Sequence, residues 1–149
     1  MLKMGNDRSV TAQILIDAPP AKVWEGLINP QLIKKYMGGA DVVSDWRPGG
    51  PIIWQGLWQG NPYQDKGQIL EFEPNRRLKY THYSPASGMP NRPENYHVLT
   101  YSLIGRGGST ELVLLNENIT TEAEQKYLER SWKIMLEDLK SVIERAGPL

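Results

Sequence analysis

The segment Ile14-Leu15-Ile16-Asp17-Ala18-Pro19-Pro20-Ala21-Lys22-Val23-Trp24 limits the folds open to this chain more than any other stretch. An apolar strand breaks at an acid, and two prolines hand it into a helix. Pro20 suits a first helical position, where a missing N–H costs nothing and φ is already set. The helix reads from Ala21 to Ile28, with Val23, Trp24, Leu27 and Ile28 as one apolar stripe. Asn29 and Pro30 have the chemistry of a cap and first residue for a second short helix. Upstream, Val10, Ala12, Ile14 and Ile16 alternate with Ser9, Thr11 and Gln13, the pattern of a half-buried strand.

Further along, turn chemistry divides a long β region. Gly38-Gly39 precedes a strand over Ala40 to Trp46, and Pro48-Gly49-Gly50-Pro51 turns into a strand over Ile52 to Gln59. Gly60-Asn61-Pro62 predicts another turn, followed by a strand from Tyr63 to Glu73. Arg76 to Ser84 and Asn95 to Ile104 flank a proline-rich loop, Pro85 to Glu94. The turn Gly105 to Gly108 leads to a last strand, Thr110 to Glu117. Strands joined by short turns imply an antiparallel meander. A final helix starts at Thr121 with Glu124 in capping-box spacing and stops at Gly147-Pro148. Its stripe is Leu128, Trp132, Met135, Leu139 and Val142, and from Thr121 to Arg145 it would run ~37 Å. That length suits a helix lying across a curved sheet.

Composition narrows the partners. The chain has 149 residues, read as a single domain over 1–149, enough to bury roughly 70% of its unfolded surface. Lys+Arg and Asp+Glu both total 17, which removes the electrostatic warrant for nucleic acid or an anionic membrane. Zero net charge also gives little repulsion against self-association, so a homodimer is compatible with it. With no cysteine, disulfides, thiolate catalysis and Cys-based zinc sites are excluded. No apolar run approaches the ~20 residues of a membrane span, and Met1 to Val10 is too polar for a signal-peptide core. A cytoplasmic protein is expected. Five Trp and seven Tyr stand against one Phe, a bias towards rings that pair bulk with a polar tip.

In order and phrasing the chain resembles the START-related helix-grip superfamily, also called SRPBCC or birch-pollen-allergen-like. Within it, the nearest likeness is to the family named for the activator of the ninety-kilodalton heat-shock chaperone's ATPase. The matching pieces are Ile14 to Trp24, the turn Pro48-Gly49-Gly50, and Gly67-Gln68-Ile69-Leu70-Glu71. Pro74 with Leu78, the start Ser109-Thr110-Glu111-Leu112, and Trp132 with Leu136, Leu139 and Lys140 complete the likeness, from about Val10 to Glu144. The resemblance implies an α+β fold in which a bent antiparallel sheet of about six or seven strands grips the long C-terminal helix. Two short helices follow the first strand. It also implies a sheet–helix cavity for an apolar small molecule, but no single chemistry.

Under that expectation the candidate ligand-binding residues lie on inward faces. Trp54 and Trp58 share one strand face, Tyr80 and His82 a second, His97 and Tyr101 a third, with Trp132 and Met135 on the helical stripe. Apolar walls with a few polar tips are the usual makeup of a small-molecule site. If the hairpin closes symmetrically about Met89-Pro90, His82 faces His97, Tyr80 faces Leu99, and Leu78 faces Tyr101. Two imidazoles without a third ligand do not make a catalytic metal site, so no metal and no cofactor are expected. Ser84, Ser87, Ser102 and Ser131 lack a nucleophile-elbow setting, and no HExxH, P-loop or dinucleotide fingerprint occurs. Asp17, Asp45, Asp65 and Glu94 fall near strand ends or turns, where carboxylates are normally solvated. The leading expectation is a protein that binds a small apolar or aromatic molecule. The alternatives are a cyclase- or hydrolase-type enzyme using Tyr and His groups, and a co-chaperone-like interaction module.

Overall fold

A computed structural model of the chain describes Arg8 to Ala146. Strand β1 (Arg8–Ile16) leads into helices α1 (Pro20–Ile28) and α2 (Pro30–Tyr36). Six strands follow: β2 (Asp41–Ser44), β3 (Pro51–Trp58), β4 (Asn61–Glu73), β5 (Arg77–His82), β6 (His97–Arg106) and β7 (Ser109–Ile119). Helix α3 (Glu122–Arg145) ends the described chain. The strands make one sheet in the order β1-β7-β6-β5-β4-β3-β2, with every neighbouring pair antiparallel. This is the helix-grip arrangement: a meander whose first strand returns beside the last, with α3 packed across it.

The local signals act as their chemistry dictates. Pro20 opens α1 and Pro30 opens α2, where the Asn29 side chain accepts a hydrogen bond from the Gln31 N–H. At α3, Thr121 Oγ1 accepts from the Glu124 N–H at 3.1 Å. The Glu124 carboxylate reaches back to the Thr120 N–H, one residue before the cap. Replacing Thr121 by alanine should therefore cost about 1 kcal/mol of stability, measured by chemical denaturation. In β1, Val10 and Ile16 are buried and Ala12 and Ile14 half-buried, while Ser9, Thr11, Gln13 and Leu15 are exposed on the other side.

Three expectations need correction. The helix stripe is rotated: Met135, Leu136, Leu139 and Ile143 are the buried residues of α3, and Leu128, Trp132 and Val142 are only half-buried. The reason is α1, where Gly26 has no side chain; a Cβ there would lie 2.6 Å from Ile143 Cδ1, so Ile143 is drawn into the space. The turn expected at Gly60-Asn61-Pro62 ends sooner, because β4 already begins at Asn61 and Pro62 pairs with Leu57. Pairing of β4 with β5 starts only at Ile69, so Pro62 needs no N–H towards that side. The loop between β5 and β6 contains two 3-10 turns, Pro85–Ser87 and Pro93–Asn95. The helix stop at Gly147-Pro148 and most of the polar start before Val10 lie outside the described residues.

β1 is a sheet edge, and α3 covers it. Gln125 Nε2 donates to the Ser9 carbonyl at 2.9 Å, and Lys140 Nζ to the Leu15 carbonyl at 3.0 Å. Glu144 accepts the Asp17 N–H at 2.7 Å. Side chains thus satisfy backbone groups that would otherwise template another strand. Among the described residues no helix is long and apolar enough to cross a membrane.

Candidate functional site

Strand alternation sets one inward ring on each of three strands, and α2 supplies a fourth. Trp54 of β3, Tyr80 of β5, Tyr101 of β6 and Tyr36 of α2 are all buried. Trp54 and Tyr80 have centroids 5.2 Å apart, and Tyr80 and Tyr101 5.9 Å apart. Tyr80 and Tyr101 stand on neighbouring strands about 5 Å apart, and Trp54 reaches Tyr80 across the intervening β4, so the rings meet instead of leaving a hollow. What remains among them is a cavity of about 10 Å³, bounded by these four rings together with Leu27 and Ile33. That is about the room one water needs. The expected wide hollow behind these rings is therefore nearly filled, and its remnant is closed by α1 and α2; the space between sheet and α3 is instead an open cleft of about 530 Å³ at the β1 edge, lined by Ala12, Ile14, Arg130, Lys133 and Leu136 among others.

The polar tips inside are few and can be accounted for proton by proton. Tyr36 Oη donates to the Gly26 carbonyl at 2.7 Å. Tyr80 Oη and Tyr101 Oη are 3.2 Å from each other, and each phenol has a single O–H. One donates to the other; the second O–H has no acceptor among the described residues. Burial pushes the Tyr101 phenol up to about 12 and the Tyr80 and Tyr36 phenols well above 10.0. All three stay neutral donors across the physiological range.

A second, half-buried group lies beside Trp54, outside the lining of this cavity. His82 and His97 are opposed across β5 and β6, with Tyr80 opposite Leu99 and Leu78 opposite Tyr101, as hairpin counting predicts. Each imidazole has a carboxylate. His82 Nε2 is 2.9 Å from Asp65 Oδ2, and His97 Nε2 is 3.5 Å from Glu124 Oε2. Burial lowers the His97 pKa, Glu124 opposes that effect, and the proximity of His82 adds to it. The His82 ring meets Trp54 edge-on at 4.9 Å, and its Nδ1 has no partner among the described residues.

Asp65 corrects the reading of a solvated turn carboxylate, since its side chain is only 16% exposed. It pairs across β3–β4 with Trp54. The signal was period-two counting: Tyr63, Asp65, Gly67 and Ile69 alternate within one strand, so Asp65 shares a face with Ile69, which is fully buried. Glu124 and the buried Asn116 were missed for a different reason, because their partners lie on other elements. Trp132 donates its indole N–H to Asn116 Oδ1 at 2.9 Å, which engages the ring's polar tip within the scaffold. Met135 is part of the core cluster. Trp58 is not brought to the others: it stands 69% exposed near the end of the β3–β4 hairpin. No cluster of three or more acidic or imidazole groups that could hold a metal occurs among the described residues.

Comparison with known proteins places this geometry. A family model described as Activator of Hsp90 ATPase homolog 1-like protein matches residues 17–144. No curated protein matches the sequence. Among solved structures, ChR145 from Cytophaga hutchinsonii is 46% identical, with 95% of this chain and 97% of that one covered and a TM-score of 0.83. CalU16 from Micromonospora echinospora is 27% identical, with 93% and 78% covered and a TM-score of 0.71. The Aha1 dimer from Colwellia psychrerythraea shares the fold at 19% identity, with 95% and 99% covered and a TM-score of 0.73.

Proposed function

The chain belongs to the Activator of Hsp90 ATPase homolog 1-like family, and on that footing we propose that it binds a small, neutral aromatic molecule carrying a hydrogen-bond acceptor, held among Trp54, Tyr80 and Tyr101. One observation carries this reading: the Tyr80–Tyr101 pair has two protons and one bond, so a donor is left facing a cavity without a charged residue in its lining. A buried donor without an acceptor costs about 1–3 kcal/mol. A ligand carbonyl would relieve that cost, whereas an anion would be desolvated with no cation to meet it.

Binding on this reading requires opening, because a cavity of roughly 150 Å³ is what accepts even benzene. The movable wall is the stretch after α2. Met37 and Trp46 line the cavity; Trp46 sits at φ 56°, and Gly38 and Gly39 are also left-handed. A large side chain in that region is strained. The apparent affinity is then the intrinsic one reduced by the fraction open.

The test compares β-tetralone with tetralin, its hydrocarbon analogue, by protein-observed NMR. The ketone should bind roughly tenfold more tightly, the value of one hydrogen bond. That preference should survive Tyr101→Phe, which still leaves one free phenol proton, and vanish in Tyr80→Phe/Tyr101→Phe. If neither compound shifts the Trp54 and Tyr80 resonances at millimolar concentration, the reading falls. A protein-interaction role is favoured by a different feature, the exposed Leu57 and Trp58 on β3; sedimentation of a Trp58→Ser variant checks whether that surface joins two copies.

A further inference from the structure

We propose that Asp65 and His82 form an oriented base beside Trp54, able to move a proton on and off the carbon beside the carbonyl of a bound aromatic ketone. The inference rests on the binding reading above and adds chemistry to it. Asp65 Oδ2 accepts from His82 Nε2 at 2.9 Å, so in the neutral ring the proton sits on Nε2 and the lone pair on Nδ1. A neutral imidazole fixed in one tautomer is what a general base requires. Asp65 acts through His82 and is a positioning residue.

Spacing supports the pairing of base and donor. Tyr80 and His82 are two residues apart on β5 and follow one another on the same face, so their backbones are ~6.6 Å apart. A base, an α-carbon, its carbonyl oxygen and a phenol, each at hydrogen-bond reach, span about 6–8 Å. Trp54 lies against both, 4.9 Å from the His82 ring and 5.2 Å from the Tyr80 ring, and provides one wall for a flat ligand.

The step balances without a co-reactant. His82 Nδ1 takes the proton; the C–H electron pair becomes a C=C bond; the carbonyl pair moves to oxygen, which accepts the spare phenol hydrogen bond. Reversal returns a proton to carbon, or a deuteron after exchange with heavy water. The species formed is the enolate paired with the His82 imidazolium, and the net product is the ketone with its α-proton exchanged.

The experiment incubates the protein with β-tetralone in heavy water and follows loss of the α-proton signal by NMR. We expect exchange roughly a hundredfold faster than buffer alone. His82→Gln should return exchange to the buffer rate while ligand-induced shifts at Trp54 persist. Asp65→Asn should slow exchange and mix the two His82 tautomers, seen in the imidazole nitrogen shifts, a signature that simple loss of packing would not give. Binding with exchange at the buffer rate, or exchange unaffected by His82→Gln, overturns the base and leaves the binding reading intact. Absence of binding removes both.

Discussion

Gly67→Ala should lower the melting temperature by roughly 6–12 °C, a loss of about 3 kcal/mol for a chain of this size. A Cβ on Gly67 would lie 1.7 Å from the Thr81 carbonyl oxygen and 2.6 Å from its carbon. These are backbone atoms, so no rotamer change makes room. On one side the Lys66–Tyr83 bridge holds β4 to the end of β5, with N···O distances of 3.0 and 2.7 Å. On the other side Gln68 donates its N–H to Thr81 Oγ1 at 2.9 Å. Alanine would have to separate the strands and break several of these bonds together, and Asp65 would be pulled from His82. The control is Gly105→Ala in β6, whose added methyl group would meet only Pro20 Cγ at 3.7 Å. It should leave stability unchanged or raise it slightly, by up to about 1 kcal/mol. A Gly67→Ala protein that melts with the parent would mean that β4 and β5 do not approach as described.

Alkaline titration should produce the second large effect. An unfolded tyrosine ionises near its usual value of 10.0, whereas Tyr101 holds its proton to about 12. The folded state therefore binds more protons than the unfolded state in that interval, and stability must fall as pH rises through it. Tyr101 alone accounts for about 3 kcal/mol, present below pH 10 and lost by about pH 12. Tyr80 and Tyr36, also raised by burial, add in the same direction. Denaturant unfolding at a series of pH values, with tyrosinate absorbance as a second probe, measures it. Tyr80→Phe/Tyr101→Phe should flatten the alkaline loss. At neutral pH the double variant should remain within about 1 kcal/mol of the parent, because both partners of one hydrogen bond are removed together. An unchanged alkaline slope would show these phenols to be solvated.

Much of the scaffold was legible because its signals are short-range. The Pro-Pro start of α1, the Asn29 cap, the Thr121–Glu124 box and the β1 alternation each involve residues only a few positions apart. Counting outwards from Met89-Pro90 was enough to oppose His82 and His97, since the loop happens to be symmetric about that point. The same counting within β4 would have turned Asp65 inward, had its place in a strand been weighed against its nearness to a turn. Gly67 stood in a matching phrase of the sequence, but nothing local explained it; its reason is a carbonyl of another strand.

What the chain's letters determined by themselves was the succession of elements, their caps and most strand faces, because periodicity and turn chemistry are properties of neighbouring residues. Only the tertiary structure decided that Ile143 enters beside Gly26, that Asp65 holds His82, and that rings from three strands and α2 close the interior to about 10 Å³. Those outcomes depend on how side-chain volumes from distant segments fill a shared space. Close packing sets that filling, and no pattern along one strand or helix encodes it.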